Sequence, residues 1–206
     1  MKNTVRTAVR SLGLLLFTVA SVAPSPAQDA TLDFVPAGTS VKFTLGDTIH
    51  TVHGEFDLKR GSLHFNPATG SISGEVVVNA TSGRTGNGMR DRKMHKDILE
   101  SAAYPEIVFR ADRVDGKVFT QGKSNIQVHG TFSIHGADHE ITIPIEVEMA
   151  QDHWTASGHF VVPYQKLGIK NPSTFILRVS ESVEIDVQTS GPNPWAAGAS
   201  PNPSPH

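Results

Sequence analysis

The chain has 206 residues, with 18 Lys and Arg against 20 Asp and Glu, ten His and no Cys. The absence of a thiol excludes disulfides, cysteine nucleophiles and a lipid-modified cysteine anchor. A formal charge of −2 at pH 7 offers no basic surface for nucleic acid.

The first 27 residues read as a secretory signal. Lys2, Arg6 and Arg10 form a basic start, Leu12 to Val22 an apolar run, and Ser25-Pro26-Ala27 a small-residue end. The apolar run is about a dozen residues, short of the roughly 20 that a bilayer span needs. Cleavage is expected near Ala27, giving a periplasmic or secreted protein. Removing three of the 18 basic residues and no acid leaves residues 28–206 with a net charge of −5.

From Val41 the chain alternates apolar and polar residues, the period of half-buried antiparallel strands. Val41, Phe43 and Leu45 share one parity. Val52, Phe56 and Leu58 follow, then Leu63 and Phe65, then Ile72, Val76, Val78 and Ala80 with Glu75 and Asn79 outward.

The alternation breaks once, from Thr85 to Leu99. Asn87 fits an N-cap, and Met94 and Ile98 stand at i, i+4 on one face with Leu99 beside them. Arg90, Asp91, Arg92, Lys93, Lys96 and Asp97 populate the rest. The short amphipathic helix either plugs one end of the sheet as core or gates a ligand, with the methionines as adaptable packing. Tyr104-Pro105 then forces an extended exit.

Alternation resumes with Ile107, Phe109 and Ala111, then Ile126, Val128, Phe132 and Ile134, then Ile141 to Met149, then Trp154, Ala156, Phe160 and Val162. The last run is Phe175, Leu177 and Val179, continuing as Val183, Ile185 and Val187. Two positions disturb the pattern. Glu181 has inward parity, which a bulge would correct, and Pro144 removes an amide from its ladder, which suits an edge or bulge. Residues 190–206 hold five of the 13 prolines and read as a disordered tail in which Trp195 has no evident anchor.

Eight or nine strands with one apolar face fit a sandwich or a barrel. Their length favours the barrel, because closure removes the open edges. An eight-stranded barrel holds packed side chains or one slim ligand, and the pattern is compatible with both.

Catalytic and metal signatures are sparse. No GxSxG, HExxH or phosphate-binding glycine loop occurs. His50 and His53 fall on opposite faces of a strand; His64, His129, His135 and His159 have outward parity; His135 and His139 flank a turn without a third ligand. An enzyme acting on a lipid or quinone would have only His50 and Glu181 as inward polar groups. No metal site or cofactor is expected.

Four strings carry a family resemblance: HTVHGEF at 50–56, TGNGMRDRKMH at 85–95, YPEIVF at 104–109 and VHGTFSIHG at 128–136. Together, in this order between Leu32 and Val187, they resemble the YceI-like family of exported polyisoprenoid-binding proteins. The resemblance implies an all-β fold: a lipocalin-like antiparallel β-barrel of about eight strands with one short helix near the barrel end. It also implies a channel for a long isoprenoid chain and no catalytic activity.

The expected domains are the signal (1–27), the barrel (28–189) and the tail (190–206). The expected function is an exported, non-enzymatic carrier of a long isoprenoid, quinone or polyprenyl lipid. The alternatives are a histidine-based metal binder and a packed barrel acting in stress response or protein interaction. The expected lining is Phe43, Phe56, Phe65, Val76, Val78, Phe109, Phe132, Ile134, Ile143, Phe160, Phe175 and Leu177, with Met94 and Ile98 closing one end. The expected partner is the isoprenoid lipid itself, with transient membrane contact and no nucleic acid; the oligomeric state is left open, a dimer included.

Overall fold

A computed structural model describes residues 29–174 and 178–196. The segment expected to be a signal, the last ten residues, and the expected lining residues Phe175 and Leu177 lie outside that set. Nine strands run β1 (Ala30–Phe34), β2 (Thr39–Gly46), β3 (Thr51–Asn66), β4 (Ser71–Arg84), β5 (Glu106–Asp115), β6 (Gly122–Ile134), β7 (Ala137–Met149), β8 (His153–Val162) and β9 (Val183–Pro192). All pairings are antiparallel, in the order β1-β3-β2-β9-β8-β7-β6-β5-β4, and a β3–β4 pairing closes the ring. Strands β2 to β9 make an eight-stranded barrel, as expected. β1, absent from the expected strands, lies along the second half of β3, with Leu32 opposite Leu63.

β3 is one 16-residue strand where the pattern suggests two. Phe56 and Leu63 are seven residues apart, an odd spacing that no regular strand can place on one face. A register shift between Leu58 and Arg60 resolves it: Lys59 and Arg60 are both exposed, and the parity changes there.

The β6–β7 hairpin turns through His135 and Gly136, with φ of 52° and 78°. Two consecutive positive φ values make a tight turn whose twist suits the flanking strands. Gly136 also lies under Tyr104, since a Cβ there would come within 2.6 Å of its ring. Pro144 stands opposite Gln127 inside the β6–β7 ladder. On the other side, β7 pairs with β8 only from Ile145 to Met149. The proline therefore sits where a sheet edge begins and no N–H is required.

The chain between β8 and β9 departs most from expectation. Val179 makes a single bridge to Asp47, and a bend follows at Ser182 before β9 starts at Val183. Glu181 is exposed in this break, so the strand is interrupted where a bulge was expected. At the other end β9 continues to Pro192. Asn193 is buried, its Nδ2 donating to the Ala150 carbonyl at 2.6 Å, and Trp195 packs on the core. The ordered barrel thus extends past residue 190.

Two apolar clusters fill the interior. Phe65, Ile72, Met149 and Trp154 belong to one, at the end where β3 meets β4 and β7 meets β8. Ile134, Val162, Tyr164 and Ile169 form the other, packed against Leu45, Ile98, Phe132 and Phe160.

Candidate functional site

One elongated cavity of about 680 Å³ runs inside the barrel. Alternation along each strand generates its wall: Val41, Phe43 and Leu45 from β2, Val76 and Val78 from β4, Ile107 and Phe109 from β5, Ile143 and Ile145 from β7. Phe43 and Phe56 pack at 5.3 Å between ring centroids. The expected lining residues Phe43, Phe56, Val76, Val78, Met94, Ile98, Phe109, Phe132, Ile134, Ile143 and Phe160 all reach the cavity.

Phe65 does not. It pairs with Ile72 and Ala30 near the β3–β4 turn and belongs to the cluster below the channel. Its parity is right, but its height along the strand places it in the floor. Trp154, 1% exposed and edge-on to Phe34 at 5.6 Å, contributes to the lining at that end.

The opposite end is built by the helical segment. α1 (Gly88–Lys93) continues as a π-helical turn through Ile98. Asn87 is its N-cap, Oδ1 accepting from the amides of Met89 and Arg90 at 3.1 Å each. Thr85 organises the entry: its amide and hydroxyl donate to Asp91, while Arg90 Nε donates to its Oγ1 at 2.7 Å. Met94 faces Phe56 across Gly83, where a Cβ would stand 2.4 Å from the Phe56 ring and 2.9 Å from the Met94 methyl. His95 braces the turn from behind, its ring nitrogens 3.0 Å from Ser101 Oγ and 2.7 Å from the Gly83 carbonyl.

The cavity reaches the surface here, because exposed Asn87, Met89, Arg90 and Lys93 share in its lining. Every charged residue of the lining, Asp47, Arg90 and Lys93, belongs to this end. Asp47 caps the β2–β3 turn, its Oδ1 accepting from Ile49 N at 2.7 Å and His50 N at 2.6 Å. Those amides hold its carboxyl below the ordinary value, with a smaller contribution from Arg90. Tyr164, Ile169 and Pro172 line the mouth from the segment after β8. That segment has no apolar period, so sequence reasoning missed it. Asp47 and Thr85 were missed for a different reason: their roles are hydrogen bonds, which alternation does not encode.

The polar residues considered for chemistry lie elsewhere. The His50 side chain is 72% exposed beside Asp47, and Glu181 is also exposed, so neither enters the channel. His135 stacks on Tyr104 at 4.4 Å between ring centroids, with Nε2 3.2 Å from Glu100. His139 Nε2 is buried and unpartnered among the described residues. Among those residues no three His, Asp or Glu side chains converge in a metal-holding group.

The YceI-like domain profile matches residues 32–190. Three solved structures share the fold. Burkholderia cenocepacia BcnA is 19% identical, with 77% of this chain and 99% of that one covered and a TM-score of 0.63. A polyisoprenoid binding domain from Saccharophagus degradans, implicated in plant cell wall breakdown, is 14% identical over 81% and 100%, with a TM-score of 0.59. The Campylobacter jejuni YceI protein is 19% identical over 70% and 86%, also at 0.59. No curated protein matches the chain. The profile match spans the whole barrel, from β1 into β9, and the chain belongs to the YceI-like domain family.

Proposed function

We propose that the protein is an exported carrier or scavenger of a long isoprenoid chain and performs no catalysis. One observation carries the reading: an elongated apolar cavity inside a closed barrel, with its charged residues confined to one end. A flexible hydrocarbon chain matches the lining, and each methylene removed from water contributes roughly 0.8 kcal/mol. A tail of tens of carbons then binds firmly with few polar contacts, and channel length and width set selectivity. The orientation follows, with the tail inward and the polar end at the α1 mouth. The basic start and apolar run of residues 1–27 support export. The polyisoprenoid binding domain with the same fold supports the ligand class.

The test is native mass spectrometry of the mature protein from its exporting host, followed by organic extraction. A co-purifying isoprenoid of discrete mass is expected. Phe132→Trp, which narrows the channel beside the Ile134–Tyr164 cluster, should cut uptake of added quinone at least tenfold while the circular dichroism spectrum is kept. An empty protein that gains no mass with quinones or polyprenols refutes the reading.

A further inference from the structure

A carrier of an insoluble chain must collect it from somewhere, and the mouth carries surface features that the channel does not require. Ile49 is 65% exposed and Met89 is 78% exposed. Both project from backbone held by capping hydrogen bonds, Ile49 from the Asp47 turn and Met89 from the first turn of α1. Both belong to the mouth: Met89 lines it together with Asp47 and Arg90, and Ile49 is two residues from Asp47 in the turn that Asp47 caps.

The charge around them is also distinctive. On the barrel wall Lys59, Arg60, Arg84, Arg110, Arg113 and Lys123 are ion-paired, and only the scattered Lys42 and Lys117 are exposed without an ion pair among the described residues away from the mouth. At the mouth Arg92, Lys93, Lys96 and Arg178 are exposed and make no ion pair among the described residues. Arg178 stands beside the Ile49 turn, its carbonyl accepting from Thr48 N at 3.0 Å. The acids nearby are largely engaged: Asp47 binds two amides, Asp91 binds Thr85, and Glu100 meets Lys170 and His135. Asp97 and Glu181 are exposed and oppose the cations in part.

We propose that the rim formed by Ile49, Met89, Arg92, Lys93, Lys96 and Arg178 docks the channel mouth on an anionic bilayer. Shallow insertion of the two apolar side chains, with cations at the lipid phosphates, is the chemistry of peripheral membrane attachment. Residues 28–206 carry a net −5, so the rest of the molecule is repelled and the basic end turns toward the surface. The exposed apolar residues Val35 and Phe119 sit at the other end, away from the mouth. The inference rests on the carrier reading for its purpose, but it is measured separately.

The test is flotation of the mature protein with vesicles of equal phosphatidylglycerol and phosphatidylethanolamine, against vesicles of phosphatidylcholine alone. Variants are chosen outside the channel lining: Ile49→Ser, and Arg92→Gln with Lys96→Gln. Association with the anionic vesicles only, weakened by salt and reduced about tenfold by the paired cation variant and severalfold by Ile49→Ser, is the expected result. Uptake of a polyprenol dispersed in solution should be unchanged in both variants. Absence of vesicle association, or association indifferent to both variants, overturns the proposal. Uptake without vesicle binding defeats the rim and leaves the carrier standing; vesicle binding without uptake does the reverse.

Discussion

Four histidines sit directly opposite a short polar partner on the neighbouring strand. Thr31 faces His64 with Oγ1 and Nδ1 3.0 Å apart, Thr44 faces His53 at 3.1 Å, and Thr142 faces His129 at 2.8 Å. His159 faces Asp186 at 2.8 Å. Parity read from the sequence places such side chains outside, but it contains no register, and register is what gives each ring its partner. A clustering of imidazoles that suggests metal in one dimension is thereby dispersed into cross-strand pairs. The His159–Asp186 pair makes a measurable consequence. The hydrogen bond that the His159 ring donates to Asp186, together with the carboxylate's charge, raises the His159 pKa above the ordinary 6.5. Because the folded value is the higher one, the pair stabilises the fold below about pH 6.5 and ceases to do so as pH rises through the shifted value. In a histidine NMR titration His159 should titrate above the ordinary range, and Asp186→Asn should return it there. The stability difference between the two proteins should be small, present at acidic pH and absent at alkaline pH. A His159 titration unmoved by Asp186→Asn would sink this account.

Strand existence and channel-facing parity were largely legible, because alternation is a direct imprint of burial on one face. The exceptions are local and physical. The parity slip inside β3 needs a bulge, and the floor position of Phe65 depends on height along the barrel, which no alternation records. Val77 is the sharpest case. Its parity is outward, between Glu75 and Asn79, yet it is 0% exposed. Register again supplies the reason: Arg60, Val77, Val108 and Ser133 form one outward row across β3 to β6. Over this row Arg60 bridges Glu106 and Glu75 at 3.0 Å each, Lys59 reaches Glu106 at 2.7 Å, and Arg110 meets Glu75 at 3.5 Å. Hydrogen bonds from Arg60, then Lys59, bring the Glu106 pKa down to about 2. The stems of these charged side chains cover the two valines, so the outer wall carries a second, small apolar patch. Val77→Ala should therefore cost about 2 kcal/mol, as for a buried side chain. An ordinary surface substitution stays within about 0.5 kcal/mol. Urea unfolding with an unchanged m-value decides between them, and a shift in the surface range would refute the covered patch.

Closure of the whole ring does two things at once. It satisfies the strand edges, and it commits the inward faces to one enclosed space that β2 to β9 cannot fill by collapsing on each other. Sequence alone leaves that space either packed or hollow, because side chains of the same apolar character serve both. The difference is geometric: Phe65, Ala111, Val114 and Met149 pack behind the floor and stay out of the cavity, whereas the walls from Trp154 to Phe43 and Phe132 border open volume. A hollow apolar interior forgoes the close contacts that stabilise ordinary cores. Its occupant supplies them, so filling the channel and stabilising the fold become one quantity. At a free ligand concentration 100-fold above Kd, binding adds about 2.7 kcal/mol to the folded state. For a domain of this size, with about 2–4 °C per kcal/mol, the thermal midpoint should rise by about 5–10 °C. Calorimetry on solvent-extracted, refolded protein with and without added polyprenol measures this directly. The rise should follow the logarithm of ligand concentration and shrink in Phe132→Trp, whose ring occupies part of the same space. A midpoint that ignores the lipid in the wild-type protein would mean that the interior is stable empty, and the barrel would then have to be understood as a scaffold for its outer face.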